Sequence, residues 1–306
     1  ASIQENVARN REAQLAAFFS QTASEQSESL NYWEARTIGS SGELLNEFRD
    51  RLTEWCELSR NTLALVLNAG EGLLLGEFLR RISEENVYAL VESSNEKKIL
   101  GTLFKKTTSG IEAKIAVDSS GCPASFEIAD LRFERIVGRN VLQKHADKSG
   151  FLETLKPWIS ADGFFVFGET VPALGQRLSD LIPEELLEPD FRKRLKAAEK
   201  EIYLDEENVR SSWTPSTLRD ELKGANWNII RWQVKEYSIP TMIRTEQIEQ
   251  WFPSHQDSPH SSYGQRLSAY FSPEQLNNLR ETFRNEVAGT VVEWHSVSLF
   301  MQLNQK

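Results

Sequence analysis

The run Leu63-Ala64-Leu65-Val66-Leu67, followed by Asn68-Ala69-Gly70-Glu71-Gly72 and then by Leu75, Phe78, Leu79 and Ile82, constrains this chain more than any other stretch. An apolar run without polar alternation is what a parallel strand covered on both faces requires. Apolar residues at i, i+3, i+4 and i+7 form one face of a helix. Two glycines lie between, so Leu63 to Arg81 reads as strand, tight turn, helix. A turn feeding a helix start leaves backbone N–H groups unpaired, and glycines let a ligand approach them closely. Asn86 to Glu92 reads as a second strand ending in a carboxylate. Glu92 stands about 20 positions past Gly72, the spacing at which an acidic residue in an open parallel sheet accepts bonds from ribose hydroxyls.

Val66 to Leu74 resembles the first motif of class I S-adenosylmethionine-dependent methyltransferases, and Val87 to Ser94 resembles their second strand. Phe133 to Leu142 is similar to the family's fourth strand and its exit. Phe151 to Pro157, leading to Asp162 to Glu169, is similar to the helix, turn and fifth strand. The resemblance implies an α/β, Rossmann-like fold: a seven-stranded, mostly parallel sheet with helices on both faces. N-terminal helices would occupy 1–58 and the sheet domain 59–306, with a helical insertion at about 174–224 before the sixth strand. It also implies S-adenosylmethionine as cofactor, held by Asn68, Ala69, Gly70, Glu71, Gly72 and Glu92, with Asp118 or Asp130 able to reach the adenine amino group, although each reads first as a solvated loop carboxylate. Two positions depart from the family pattern. Asn68 stands where an acid is usual, and Leu74 replaces a third glycine, placing a bulky side chain where the cofactor's edge often passes.

A narrower resemblance covers the whole chain. Trp227 to Phe252, containing Ile239-Pro240-Thr241-Met242-Ile243-Arg244 and Trp251-Phe252, then Ser262 to Ser268 and Trp294-His295-Ser296, resembles the C-terminal region fused to RarA/MgsA-type AAA+ ATPases of cyanobacteria. This implies a RarA-type ATPase as partner, on the same polypeptide or another, and a role in replication and recombination of DNA. The ATPase signature G-x-x-x-x-G-K-[ST] does not occur in these residues.

At 306 residues, 40% hydrophobic and 26% charged, the chain suffices for one large or two modest domains. A formal net charge of −10 argues against a bulk surface that grips phosphate backbones, while leaving room for a local basic face. Cys56 and Cys122 are too few for a disulfide framework and lack metal-type spacing, so a reduced, cytoplasmic setting is expected. No run of about 18 apolar residues and no charged-then-apolar leader is visible, so neither a membrane span nor a signal peptide is expected.

Along the chain, Leu15, Phe18 and Phe19 make one helical stripe and Leu45, Phe48, Leu52 and Trp55 another, with a polar break at 37–42. The resemblance gives these helices a lid role; plain cover for the sheet is the simpler reading. Ile111 to Val117 alternates as a third strand and Ser119 to Pro123 as a loop. Leu181 to Lys200 mixes charge signs, which reads as a solvated face before it reads as a nucleic-acid contact. Thr214-Pro215 starts a helix that Gly224 closes, and Asn228 to Tyr237 alternates as a sixth strand. Thr245 opens a short helix. His255, Asp257 and His260 could ligate a metal, but their spacing fits a flexible polar loop better. Ser272-Pro273-Glu274-Gln275 is a capping box, and Val291 to Leu303 is the closing strand, which with the sixth would form an antiparallel edge. Trp158, Trp213, Trp227, Trp232, Trp251 and Trp294 lie mostly in apolar periodic segments, so core packing is favoured over base stacking or partner anchoring.

Two functions follow. One is a methyltransferase using S-adenosylmethionine, whose chemistry needs positioning and a dry site more than an acid–base pair, so no catalytic residue emerges from spacing. The other is a module that keeps the sheet without the chemistry and serves a DNA-maintenance ATPase as an interaction or regulatory unit.

Overall fold

The structure, a computed structural model, describes residues 42–107, 114–118, 120–126, 131–205, 208–253 and 262–305. Helix α1 (Gly42–Trp55) precedes β1 (Ala64–Leu67), a 3-10 turn at Ala69–Glu71, and α2 (Leu73–Arg81). Then come β2 (Val87–Val91), α3 (Ser94–Thr107), β3 (Lys114–Val117), β4 (Phe133–Arg139), α4 (Lys148–Leu155) and β5 (Ile159–Thr170). The second half holds α5 (Pro189–Leu204), α6 (Pro215–Gly224), β6 (Trp227–Met242), α7 (Thr245–Trp251), α8 (Tyr263–Leu267), α9 (Pro273–Thr282) and β7 (Val291–Gln305). The stripe at Leu15, the break before Gly42, positions 111–113, Ser119, Asp130 and the loop with His255, Asp257 and His260 lie outside the described residues.

The strands form one seven-stranded sheet in the order β3-β2-β1-β4-β5-β7-β6. Strands β1 to β5 pair in parallel, and β7 is antiparallel to both β5 and β6. This is the Rossmann-like architecture expected. The sixth and seventh strands form the antiparallel edge expected: β7 lies between β5 and β6, so β6 is the edge strand and points the same way as β1 to β5. The reason is the connections, since the long insertion after β5 carries the chain across to the edge before β7 returns beside it.

Both sheet faces are buried. Ala64 and Val66 of β1 and Val87, Ala89 and Val91 of β2 face a core with Phe48, Leu52, Leu75, Phe78 and Leu100. Leu65, Leu67, Tyr88 and Leu90 face the other way, toward Phe151, Leu152, Leu155, Leu218, Leu222 and Trp227. Two-sided burial explains why β1 and β2 carry no polar alternation. In α1 Phe48, Leu52 and Trp55 are buried as expected, and Leu44 takes the place of Leu45, which is only half-buried. Trp213, Trp227, Trp251 and Trp294 are buried, as core packing requires.

Strand β5 pairs with β7 only from Leu303 to Ser298, whereas β6 follows β7 out to Val291. The outer parts of β6 and β7 therefore project as a two-stranded ribbon past the carboxyl end of β5. A third core is built on this ribbon from Leu195, Ile202, Ile243, Trp251, Tyr263, Phe283 and Trp294, drawing on α5 and α7 to α9. Its buried Glu199 accepts from the Ser179 N–H at 3.1 Å and the Tyr263 hydroxyl at 2.8 Å. The lobe is tied down by Gln176, whose N–H donates to the His295 carbonyl at 2.9 Å while its side-chain oxygen accepts from the His295 N–H at 3.1 Å. Much of the basic run in α5 is spent locally: Arg192 donates to the Ile182 carbonyl, Arg194 to that of Tyr270, and Lys196 pairs with Asp180. The Thr214 and Ser272 capping boxes form, with Gln275 completing the second. Gly224 is the last helical residue of α6, and the left-handed turn falls on Asn226 (φ 60°). Among the described residues no helix is long and apolar enough to cross a membrane.

Candidate functional site

The strand order reverses between β1 and β4, and in open α/β sheets the crevice at such a point, at the carboxyl ends of the strands, is where ligands bind. The segments reaching it are Asn68–Gly72 after β1, Glu92 after β2 and Arg139–His145 at the end of β4.

Asn68 adopts the left-handed conformation (φ 50°, ψ 45°), which Asn tolerates better than most residues. Its side-chain amide donates to the Arg139 carbonyl at 2.9 Å, joining the ends of β1 and β4, and its Oδ1 accepts from Lys144 Nζ at 2.9 Å. Gly72 is also left-handed (φ 72°) and donates its N–H to the Ala69 carbonyl at 2.8 Å, closing the turn. Ala69 faces the core. So does Leu74, at 6% exposure within the cluster that includes Val66 and Phe78. The expectation that Leu74 crowds the cofactor edge is thus corrected: helical geometry turns it under the sheet.

The corner's carboxylates are paired. Glu71 forms an ion pair with Arg139, a nearly buried guanidinium lying 5.3 Å from the Phe48 ring centre. Glu92 forms an ion pair with Lys144, so one ammonium bridges Glu92 and Asn68. Glu96, three residues past Ser93, completes a capping box: its carboxylate accepts from the N–H groups of Glu92 (2.8 Å) and Ser93 (3.3 Å), and Ser93 Oγ accepts from the Glu96 N–H at 3.2 Å. Burial raises the pKa of Glu96 and the charge of Glu92 adds to this, while the two N–H bonds and Lys144 oppose it. His145 stacks on Phe151 with ring centres 3.7 Å apart. Burial, then Lys144 and Lys148, push its pKa below the usual imidazole value, with Glu92 opposing them. Asp118 accepts from the Ser120 N–H at 2.8 Å, a local turn bond.

Of the residues expected to contact a cofactor, then, Asn68, Gly70 and Glu92 reach the crevice edge, Gly72 is buried in the turn it closes, Glu71 is committed to Arg139, and Ala69 faces inward. Arg139, Lys144 and Glu96 were missed. For Glu96 the signal was present, since Ser93-x-x-Glu96 is a capping-box pattern; for the two cations, Arg139 at the end of β4 and Lys144 just after it, no local signal exists.

Gly70 has a reason of its own. A Cβ there would lie 2.7 Å from the Glu96 carboxyl carbon. Gly70→Ala is therefore expected to push that carboxylate off the Glu92 and Ser93 N–H groups, costing about 1–2 kcal/mol, the worth of a helix cap. Urea denaturation of Gly70→Ala, Glu96→Ala and the double variant measures this; costs that simply add would show the two residues do not meet.

No protein-family model matches the sequence, and no curated protein does. Among solved structures, the chain is similar to a candidate methyltransferase from Bacillus halodurans, with a TM-score of 0.50 and 14% identity over 84% of this chain and 98% of that one. It is also similar to the YcgJ protein of Bacillus subtilis, with a TM-score of 0.51 and 14% identity over 85% of this chain and 99% of that one. The fold is methyltransferase-like.

Proposed function

We propose that this chain binds S-adenosylmethionine at the crevice between β1 and β4 and is an S-adenosylmethionine-dependent methyltransferase domain, its acceptor unassigned. The observation carrying this reading is that Asn68 Oδ1 and the Glu92 carboxylate converge on one donor, the Lys144 ammonium, at the topological switch point. Two acceptors aimed at one spot suit the vicinal hydroxyls of a ribose, and Lys144 stands in for those donors. The chemistry of the acceptors therefore fits the adenosyl group. The Lys144–Glu92 pair is partly exposed, and pairs of this kind contribute about 0–1 kcal/mol, too little to bar a ligand. The name of the Bacillus halodurans neighbour is consistent with methyl transfer.

When bound, the cofactor supplies the methyl group. The chain's part is to hold it: Glu92 and Asn68 accept hydroxyls, the turn closed at Gly72 presents its backbone, and the lobe beyond the carboxyl end of β5 bounds the side from which an acceptor enters. Calorimetric titration with S-adenosylmethionine and S-adenosylhomocysteine tests this. Glu92→Ala is expected to weaken binding by about 10- to 100-fold, the worth of a hydrogen bond to a charged group. Absence of heat at millimolar ligand would sink the proposal.

A second reading is favoured by the internal reasons found for both glycines: room for Glu96 at Gly70, and a left-handed turn at Gly72. Neither requires a ligand. On this reading the chain is a catalytically inactive interaction or regulatory unit of a cytoplasmic RarA-type AAA+ ATPase acting in recombination. It rests on the resemblance of the segments from Trp227 to Ser296. Finding such an ATPase encoded on the same polypeptide, or co-purifying with this chain, would support it; methylation of a small acceptor by the isolated chain would count against it.

A further inference from the structure

We infer that Glu96 is a further ligand-binding residue at this corner, its free carboxylate oxygen receiving the ammonium group of an adenosyl amino acid. The inference rests on the adenosyl reading above and extends it from the ribose to the amino-acid arm.

The Glu96 carboxylate lies against the glycine turn. A Cβ at Gly70 would stand 2.7 Å from its carboxyl carbon and 2.9 and 3.0 Å from its two oxygens, so a ligand that approaches the backbone at Gly70 meets this group first. Its direction is fixed, because Oε2 accepts from the Glu92 N–H at 2.8 Å and the Ser93 N–H at 3.3 Å. The other oxygen, Oε1, takes no hydrogen bond among the described residues, and solvent reaches it. The neighbouring acids are engaged: Glu71 pairs with Arg139, and Glu92 shares Lys144 with Asn68. Glu96 has no such partner. Burial and the Glu92 charge work against its ionised form, and Lys144 favours that form from a distance without an ion pair. A cation brought to Oε1 would therefore complete a carboxylate that is placed but not neutralised. On the adenosyl reading the ribose is held at Glu92 and Asn68, and Asn68 stands two residues before Gly70, so the arm leaving the ribose along the turn comes to Gly70. The ammonium is the cationic hydrogen-bond donor on that arm, while the carboxylate beside it is repelled by Glu96 and turns away.

The test is calorimetry on the wild type, Glu96→Gln and Glu92→Gln with two probes: S-adenosylhomocysteine, and 5′-methylthioadenosine, which keeps the adenosyl thioether and lacks the amino-acid arm. A capping box accepts Glu or Gln, so Glu96→Gln keeps an oxygen on the Glu92 and Ser93 N–H groups and the fold should hold, while its amide NH2 takes the place of the free Oε1. The expected result is a loss of about tenfold or more in S-adenosylhomocysteine affinity for Glu96→Gln, the worth of a hydrogen bond between charged groups, with 5′-methylthioadenosine affinity and the denaturation midpoint unchanged. Glu92→Gln, acting on the ribose, should weaken both probes alike. A residue that only caps α3 would leave both affinities in place. That result for Glu96→Gln, or equal losses for the two probes, would overturn the inference while leaving the adenosyl reading standing. No binding of either probe to the wild type would overturn both.

Discussion

Glu169→Ala is expected to cost about 3–5 kcal/mol of folding stability, since it leaves two buried N–H groups without an acceptor and a cavity besides. Glu169 ends β5 with no exposed surface and accepts from the N–H groups of Val141 at 2.9 Å and Leu142 at 3.0 Å. Beside it, Asn140 is left-handed (φ 53°) and its Oδ1 accepts from the Thr170 N–H at 2.8 Å and the Gln143 amide at 2.9 Å. These bonds hold the segment from Asn140 to Lys144 in place, and that segment delivers Lys144 to the crevice. Loss of Glu169 should thus loosen the site as it destabilises the fold. Chemical denaturation gives the cost, and a change below about 1 kcal/mol would mean the segment finds other acceptors.

The same residue predicts a pH dependence. Burial pushes the Glu169 pKa up from 4.5 to about 7, against the opposing pull of the Leu142 and Val141 N–H groups and of Lys148. The folded protein therefore holds a proton that the unfolded chain has already lost between those values, so this carboxyl makes stability fall as pH rises from 4.5 to about 7 and leaves it level above. The full span is worth about 3 kcal/mol. Glu169→Gln retains an acceptor for Val141 and Leu142 and mimics the protonated form, so it should remove this slope and gain on the wild type above pH 7. Parallel slopes for wild type and Glu169→Gln would show that the carboxyl does not titrate there.

The strand, turn and helix from Ala64 to Arg81 were legible because their signals are local: an unbroken apolar run, two glycines and a helical stripe. The Thr214 cap and the Ser272 capping box were legible for the same reason, each contained within four residues, though the return bond from Thr217 that makes Thr214 a full box was not read. What the sequence hid is long-range. The place of β7 between β5 and β6 depends on which strand the returning chain pairs with, and alternation in β6 and β7 is the same for either order. The lobe core joins Leu195 and Ile202 to Trp251, Tyr263 and Trp294, residues whose periodicity within their own helices or strand does not name a partner. At the site, the Glu71–Arg139 and Glu92–Lys144 pairs span 68 and 52 positions, so nothing near either acid marks it as neutralised. Leu74 was misjudged because a motif gives a position in sequence, while the face of α2 on which that position falls sets where the side chain goes.

Phe48→Ala is expected to cost about 3–5 kcal/mol, the usual result of truncating a buried phenylalanine. Phe48 has no exposed surface, and its ring centre lies 4.9 Å from that of Phe300 on β7. A Cβ at Gly168 would lie 2.8 Å from its Cδ1, so β5 is thinned at that point to admit the ring. The polar ties of α1, Glu47 to Lys235 and Glu57 to Arg231 just beyond it, are partly exposed and weak by comparison. This geometry makes α1 cover for the sheet, anchored by its buried stripe, and not a lid over the crevice. The two roles separate experimentally. If α1 is cover, Phe48→Ala lowers the denaturation midpoint while adenosyl ligand affinity, measured well below that midpoint, shifts less than about threefold, because a change under about 0.7 kcal/mol at the ligand is all that distant repacking conveys. A larger loss of affinity in a still-folded variant would mean that the ring supports the crevice through Arg139, whose guanidinium it faces at 5.3 Å.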